Sequence, residues 1–206
     1  MLQINKQKQL IIKRMKRVKW IFVSVILIPL LTSCGYNTMV ELSEGVDAQW
    51  AQVENVYQRR ADLIPNLVNT VKGYASHEKE TLQAVIEARS KATSVNISAD
   101  NLNAETFQKF QSAQDGLSSA LSKLMVVMER YPDLKANQNF LDLQAQLEGT
   151  ENRIAVERRK FNESTRKYNT YIKKFPKNMI ANMFDFEKKP YFKAEEKAKE
   201  APKVEF

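Results

Sequence analysis

One cysteine, Cys34, is all the chain holds, so no internal disulfide can form and a single thiol offers no cysteine-rich zinc site. Histidine is equally scarce, with His77 alone, which leaves no histidine-based metal cluster. Five glycines in 206 residues form no glycine-rich phosphate loop, and no run of β-branched residues suggests a strand. Acid is absent from the first forty residues, and nowhere do about 20 apolar residues follow one another, the length a bilayer-spanning helix needs. What fills the chain instead is Ala, Leu, Gln, Glu, Lys and Arg, all good helix formers. The expectation is an all-α protein.

The amino terminus has the layout of an export signal. Lys6, Lys8, Lys13, Arg14, Lys16, Arg17 and Lys19 form a basic region, an almost wholly apolar run follows from Trp20 to Leu31, and Leu31-Thr32-Ser33-Cys34 closes it. Met15 opens a compact version of the same signal, so translation can start at Met1 or Met15. The run ending at Cys34 resembles a bacterial lipobox. That likeness implies cleavage before Cys34, a diacylglyceryl thioether on its sulfur and a further acyl chain such as palmitate on the new amino terminus. One acyl chain holds a protein only marginally and two or more hold it lastingly. Gly35 is not the aspartate that retains a lipoprotein at the inner membrane. The expected place is therefore the envelope, facing the periplasm, on the outer membrane if the cell has one and otherwise on the outer face of the cytoplasmic membrane.

Cleavage changes the charge. Of 32 basic and 24 acidic residues, the segment before Cys34 carries seven basic and no acidic ones, leaving 25 against 24. The high pI belongs to the leader, and a nucleic-acid partner, which needs a basic surface on the folded domain, is not expected. The organisation read from the sequence is a removed signal at 1–33, a lipidated anchor and tether at 34–45, a helical bundle at 46–192 and a charged flexible tail at 193–206.

Apolar spacing sets out the bundle. Val46, Trp50, Val53, Tyr57, then Ile64, Leu67, Val71 and Tyr74 advance by alternating fours and threes, the seam of a coiled-coil-like helix, with Arg60 in the one gap. Pro65 removes a hydrogen bond to the carbonyl of Ala61, so one kinked helix is expected. Gly73 suits its end, and Ser76 suits the N-cap of a second helix, about His77 to Ala92, with Leu82, Val85, Ile86 and Arg89 on one side. After a loop-like stretch from Thr93 to Asn103, a third helix runs from about Ala104 along Phe107, Phe110, Gln114, Leu117, Leu121, Leu124, Met128 and Tyr131, with Pro132 ending it and Gly116 as a candidate close contact. In the fourth, about Ala136 to Phe175, the residues Phe140, Leu147, Ile154, Phe161, Tyr168 and Phe175 recur every seven. Its companion column of Gln144, Glu151, Arg158 and Thr165 either flanks the seam or lies buried to fix register, and the flank is favoured. Beyond Pro176, the residues Met179, Ile180, Met183, Phe184 and Phe186 form an apolar cluster, read as a short capping helix, with an exposed patch that binds a partner as the alternative. The fold expected is an elongated antiparallel bundle of about four long helices with a short C-terminal cap.

Several of these stretches together resemble the LemA family. They are Arg59-Arg60-Ala-Asp62-Leu-Ile-Pro65-Asn66-Leu-Val, then Val71 to Ala75, His77 to Leu82, Tyr131 to Asn137, Leu147 to Ala155, Tyr168-Asn169-Thr170 with Phe175-Pro176, and Tyr191-Phe192. The likeness spans about Tyr36 to Ala194. It implies a membrane-tethered bundle of long helices with no established biochemical activity. The departure is a lipobox where the family commonly has an uncleaved membrane helix.

The densest polar stretch, Arg59 to Glu80, is the one place where chemistry could be sought. Consecutive Ser76, His77 and Glu78 on a helix point in different directions and make no nucleophile, base and orienter. A carboxylate pair drawn from Asp62, Glu78 and Glu151 has no spacing that demonstrates a shared pocket. No enzyme, cofactor or metal is expected. Arg59, Arg60, Asp62, Asn66, Asn69, His77, Glu78, Glu151 and Arg158 are the candidate polar cluster, structural or interacting. Arg60, in an apolar seam, needs a partner, for which Glu151 and Asp62 are the candidates. Two functions remain. One is a non-catalytic scaffold held in the membrane through acylated Cys34, docking an unidentified envelope protein. The other is a binding module for a lipid, peptide or wall fragment in a groove near the Pro65 kink.

Overall fold

A computed structural model describes the backbone of residues 2–95, 97 and 102–193, and the side chains of this set except those of 2–14 and 16–34. The Cys34 side chain, the core of the loop around Asp100 and the tail from residue 194 lie outside that description. Helix α1 spans Leu2–Lys72, α2 Lys79–Ser94, α3 Ala104–Met128, α4 Pro132–Lys135, α5 Gln138–Lys173 and α6 Lys177–Met183. Among the described residues there is no strand, and no helix long and apolar enough to cross a membrane. The expected all-α bundle is what the chain forms.

The seam residues of α1 and α5 bring these two rods together along their length, while α2 pairs with α3 and leans on α1. The 36 residues of α5 give a rod of about 54 Å at 1.5 Å per residue. Phe140, Leu147, Ile154, Phe161 and Tyr168 are all buried, as their spacing of seven predicts. Phe175 breaks the series: α5 stops at Lys173, and Phe175 beyond it is exposed. The companion column sits largely on the flank, but Thr165 is fully buried.

Two apolar cores result. One is aromatic, with Trp50, Tyr57, Phe107, Phe110, Phe161, Tyr168 and Phe192 among its members. The other is mainly aliphatic, from Ile64, Leu67 and Val71 across to Leu82, Leu117, Leu124 and Leu147. Trp50 anchors the first: its ring meets Phe110 at 5.1 Å and Phe161 at 5.5 Å, and its Nε1 donates to the Ile97 carbonyl at 3.1 Å. A buried indole N–H needs such a partner.

The segment expected to be a tether is instead part of α1, with Met39 already buried in the aromatic core. Pro65 does not end α1. The helix closes at Lys72, where Tyr74 and Ala75 both donate to the Val71 carbonyl at 3.0 and 2.8 Å. Ala75 is buried there, and Tyr74, expected to end the seam, is exposed. Ser76 is not the cap of α2. Glu78 holds that position without a capping bond, because its carboxylate accepts from the Tyr131 hydroxyl at 2.9 Å and from Arg130 at 3.1 Å and so ties the start of α2 to the end of α3. Ile86, placed on the inner side of α2, is exposed, and a Cβ added at Gly116 would meet nothing within 4 Å, so no close helix contact is made there.

Helix α3 starts at Ala104 behind a capping box in which Asn103 accepts from the amides of Glu105 and Thr106 at 3.0 Å. It ends before Pro132, which opens the extra turn α4 at the first helical position, where its missing N–H costs nothing. Asn137 then caps α5 by accepting from the Phe140 amide at 3.1 Å. The cluster after Pro176 divides: Ile180 of α6 is buried and Phe186 half-buried, but Met179, Met183 and Phe184 are exposed.

Candidate functional site

Between the two cores lies a polar layer built on Arg60. Its position in the α1 seam drives the side chain inward, and it is 1% exposed. Nη1 donates to Ser118 Oγ at 2.7 Å and to Glu151 Oε2 at 3.0 Å, and Nη2 donates to Gln114 Oε1 at 2.7 Å and to the Gln114 carbonyl at 3.2 Å. The guanidinium also lies 5.1 Å from the centre of the Tyr57 ring. Gln114, itself buried, turns its amide nitrogen to the Ala92 carbonyl at 3.2 Å. One arginine thus links α1 to α3 and α5 directly, and to α2 through Gln114. Burial pushes the Tyr57 hydroxyl up to about 12, against the opposing pull of Arg158 and Arg60.

Glu151 is the charged partner, yet its side chain is 55% exposed. The pair therefore joins a buried cation to a wet anion, and much of the hold on Arg60 comes from neutral acceptors on α3. Four acceptor contacts satisfy both terminal nitrogens, and Nε alone has no partner.

One turn further along, the Pro65 defect is filled from another helix. Arg89 Nε donates to the Ala61 carbonyl at 2.8 Å, the acceptor that the proline ring leaves without its helical donor. This explains an arginine on the inner side of α2. It also gives a measurable coupling. Arg89→Ala in the wild-type chain is expected to cost about 1–2 kcal/mol, and clearly less in a Pro65→Ala background, where the new amide serves Ala61. A double-mutant cycle by urea denaturation measures the difference; equal costs in both backgrounds would remove the explanation.

The rest of the candidate polar cluster does not converge. Arg59, Asp62, Asn66, Asn69 and His77 are all exposed, and Asp62 accepts from Gln58 at 2.7 Å. Glu78, Glu151 and Asp62 each face a different partner, so the carboxylates share no site. Among the described residues no three His, Cys, Asp or Glu side chains are grouped to hold a metal. Among the described residues, Ser76, His77, Glu78, Asp62 and Glu151 are not brought together in one site.

Arg158 belongs to a feature that the residue spacing did not reveal. Asp185, in the left-handed region at φ 55°, ends α6 and turns the chain back along α5. Residues 186–193 run there as a strap. The Asn169 side chain both donates to the Lys189 carbonyl at 2.8 Å and accepts its amide at 3.0 Å, and Asn162 does the same for Phe192 at 3.0 and 2.9 Å. Phe192 thereby enters the aromatic core, 4.6 Å from Phe107, while Arg158 covers its ring at 4.7 Å and donates to the Lys193 carbonyl. The legible signal was Asn162 and Asn169, seven residues apart on one line of α5 and each able to pair with a backbone as a strand does.

Elsewhere on the surface, a groove of about 1000 Å³ runs between α2 and α3, floored by Ala84, Ala88, Ala113, Gly116 and Ala120.

The LemA family profile matches residues 49–206, which take in the polar layer, the Pro65 turn and the strap. The chain belongs to the LemA family. Among curated proteins, the magnetosome protein MamQ 2 of Paramagnetospirillum magneticum is 28% identical over 174 residues, covering 76% of this chain and 64% of its own length. MamQ of Magnetospirillum gryphiswaldense is 27% identical over 175 residues with the same coverage, and Protein LemA of Metamycoplasma hominis is 27% identical over 144 residues, covering 70% of this chain and 62% of that one. The chain thus spans less than two thirds of the length of these relatives. None of their names states a reaction.

Proposed function

We propose that this LemA family protein is a non-catalytic, lipid-anchored helical protein of the bacterial envelope that acts as a scaffold for another envelope protein. The observation that carries this reading is the inward use of the most chemically rich stretch: Arg60 is engaged by four acceptor contacts inside the bundle, and Arg89 fills the backbone defect beside it. An enzyme would need such groups turned toward a substrate.

The anchor follows from Leu31-Thr32-Ser33-Cys34, with residues 1–33 removed and Cys34 acylated. Because α1 continues unbroken from this segment to Lys72, the bundle starts directly at the membrane surface rather than on a flexible tether. Cys34→Ala is expected to abolish acyl labelling in cells and leave an unprocessed precursor; normal processing and localisation of that variant would defeat the anchor. A second reading is favoured by the α2–α3 groove, whose small-residue floor can accept a lipid, peptide or wall fragment. This groove lies away from the Pro65 turn, where a smaller cavity of about 290 Å³ reaches Ala61. Native mass spectrometry separates the two: a co-purifying small molecule supports the groove as a binding site, and a protein held in cells by crosslinks from the bundle supports the scaffold.

A further inference from the structure

Most exposed apolar side chains of the bundle are scattered, as on any soluble surface: Ile86, Val126 and Leu141 sit on three different helices. One end differs. Within ten consecutive residues, Phe175 is 81% exposed, Met179 63%, Met183 66% and Phe184 53%. Met179 and Met183 stand four apart on α6, on one face, and the opposite side of that helix is held down by buried Ile180 and Ala181. Met179 and Met183 are therefore presented by a packed helix, with Phe175 in the turn before it and Phe184 just past its end.

The position of this patch identifies what it meets. Ile180 packs so close to Gly35 that a Cβ there would lie 3.4 Å from its Cδ1, and the Tyr36 ring contacts Phe184 at 4.9 Å and Phe186 at 5.6 Å. The residue before Gly35 is Cys34. The patch thus sits at the end of the bundle where the chain emerges from its leader. Its charge fits the same surface: Ser164 to Phe184 contains Arg166, Lys167, Lys173, Lys174 and Lys177 and no acid. The acids that bound this stretch along the chain are Glu163 and Asp185, the latter in the turn that leads into the strap, and on the α1 side the first acid is Glu41, six residues past Gly35.

We infer that this end of the bundle is a second, non-covalent membrane contact, in which Phe175, Met179, Met183 and Phe184 enter the interface of an anionic bilayer while Lys173, Lys174 and Lys177 meet its headgroups. The inference rests on the anchor proposed at Cys34. A seven-residue helix is too small to bind a membrane lastingly alone, but beside an acyl anchor it holds the rod in one orientation. Lysines near an anionic surface each strengthen such binding severalfold.

The acylated protein supplies its own test, because acylation consumes the only native thiol and leaves an introduced cysteine as the one reactive site. Met183→Cys and, as control on α3, Val126→Cys are labelled with an environment-sensitive fluorophore in the full-length acylated protein and reconstituted into vesicles. In phosphatidylglycerol-containing vesicles the probe at 183 is expected to brighten several-fold, shift to the blue and be quenched by lipid-borne quenchers, with the probe at 126 unchanged. Lys173→Glu/Lys174→Glu/Lys177→Glu is expected to remove most of that response. Equal emission at 183 and 126 would overturn the inference, as would a probe at 183 shielded only in native envelopes and not in lipid vesicles, which would mark a protein-binding face. Labelling of the protein without an introduced cysteine would instead report a free Cys34 and the failure of the anchor itself.

Discussion

Replacing Arg60 by alanine is expected to destabilise the bundle by about 3–5 kcal/mol, the range for removing one member of a buried, hydrogen-bonded ionic network. The variant leaves Gln114 and Ser118 without their donor and a void where the arginine stem passed between the two cores. Gln114 has also been oriented by Arg60, so its bond to Ala92 on α2 loosens with it. For a domain of this size the midpoint should fall by about 10 °C, given about 2–4 °C per kcal/mol. Glu151→Gln provides the contrast. Its carboxylate is half in water, so that change should cost at most about 1 kcal/mol, as for an exposed pair. Thermal and urea unfolding of the two variants side by side checks the asymmetry.

The second large effect is expected at Phe192. Its ring is buried among Phe107, Phe161 and Trp50, and Phe→Ala in a packed core costs about 3–5 kcal/mol. Loss of the ring should also free the strap, since the bonds of Asn162 to Phe192 and of Arg158 and Gln111 to the Lys193 carbonyl lie toward the surface and keep residues 191–193 in place only while the core holds its side of them. Phe192→Ala should therefore become sensitive to trypsin after Lys188 or Lys193 under native conditions, whereas Tyr191→Ala, at an exposed position, should shift stability by less than about 1 kcal/mol. Equal protease resistance of the two variants would mean that the strap is held by its hydrogen bonds alone.

The long-period features were legible because burial along a rod repeats with the helix. The column of Phe140, Leu147, Ile154, Phe161 and Tyr168, and the α1 ladder with its one charged gap, carry that repetition plainly. Arg60 could be recognised as needing a partner, with Glu151 in reach, because an arginine in an apolar seam has few other fates. At the helix ends, Gly73 after α1 and Pro132 after α3 were legible, but the cap of α2 and the end of α5 were not. Ser76 has the chemistry of a cap, but Glu78 gains an ion pair and a tyrosine bond across to α3 by standing where it does. Phe175 keeps the spacing of seven, but the helix that gives spacing its meaning ends two residues earlier. The strap escaped because it has no periodicity. Its order comes from two asparagine side chains on α5, and only the folded chain brings Lys189 and Phe192 to them. The filling of the Pro65 defect by Arg89 depends likewise on how α2 crosses α1.

If Arg60 and its neighbours serve to build the bundle, the protein acts through its outer surfaces. The most direct test is to measure unfolding and in-cell crosslinking together for Arg60→Ala, grown well below its midpoint. The expected result is a midpoint lowered by about 10 °C with the wild-type crosslinking pattern retained. A wild-type midpoint with the crosslinks lost would make this layer the binding site and contradict the claim.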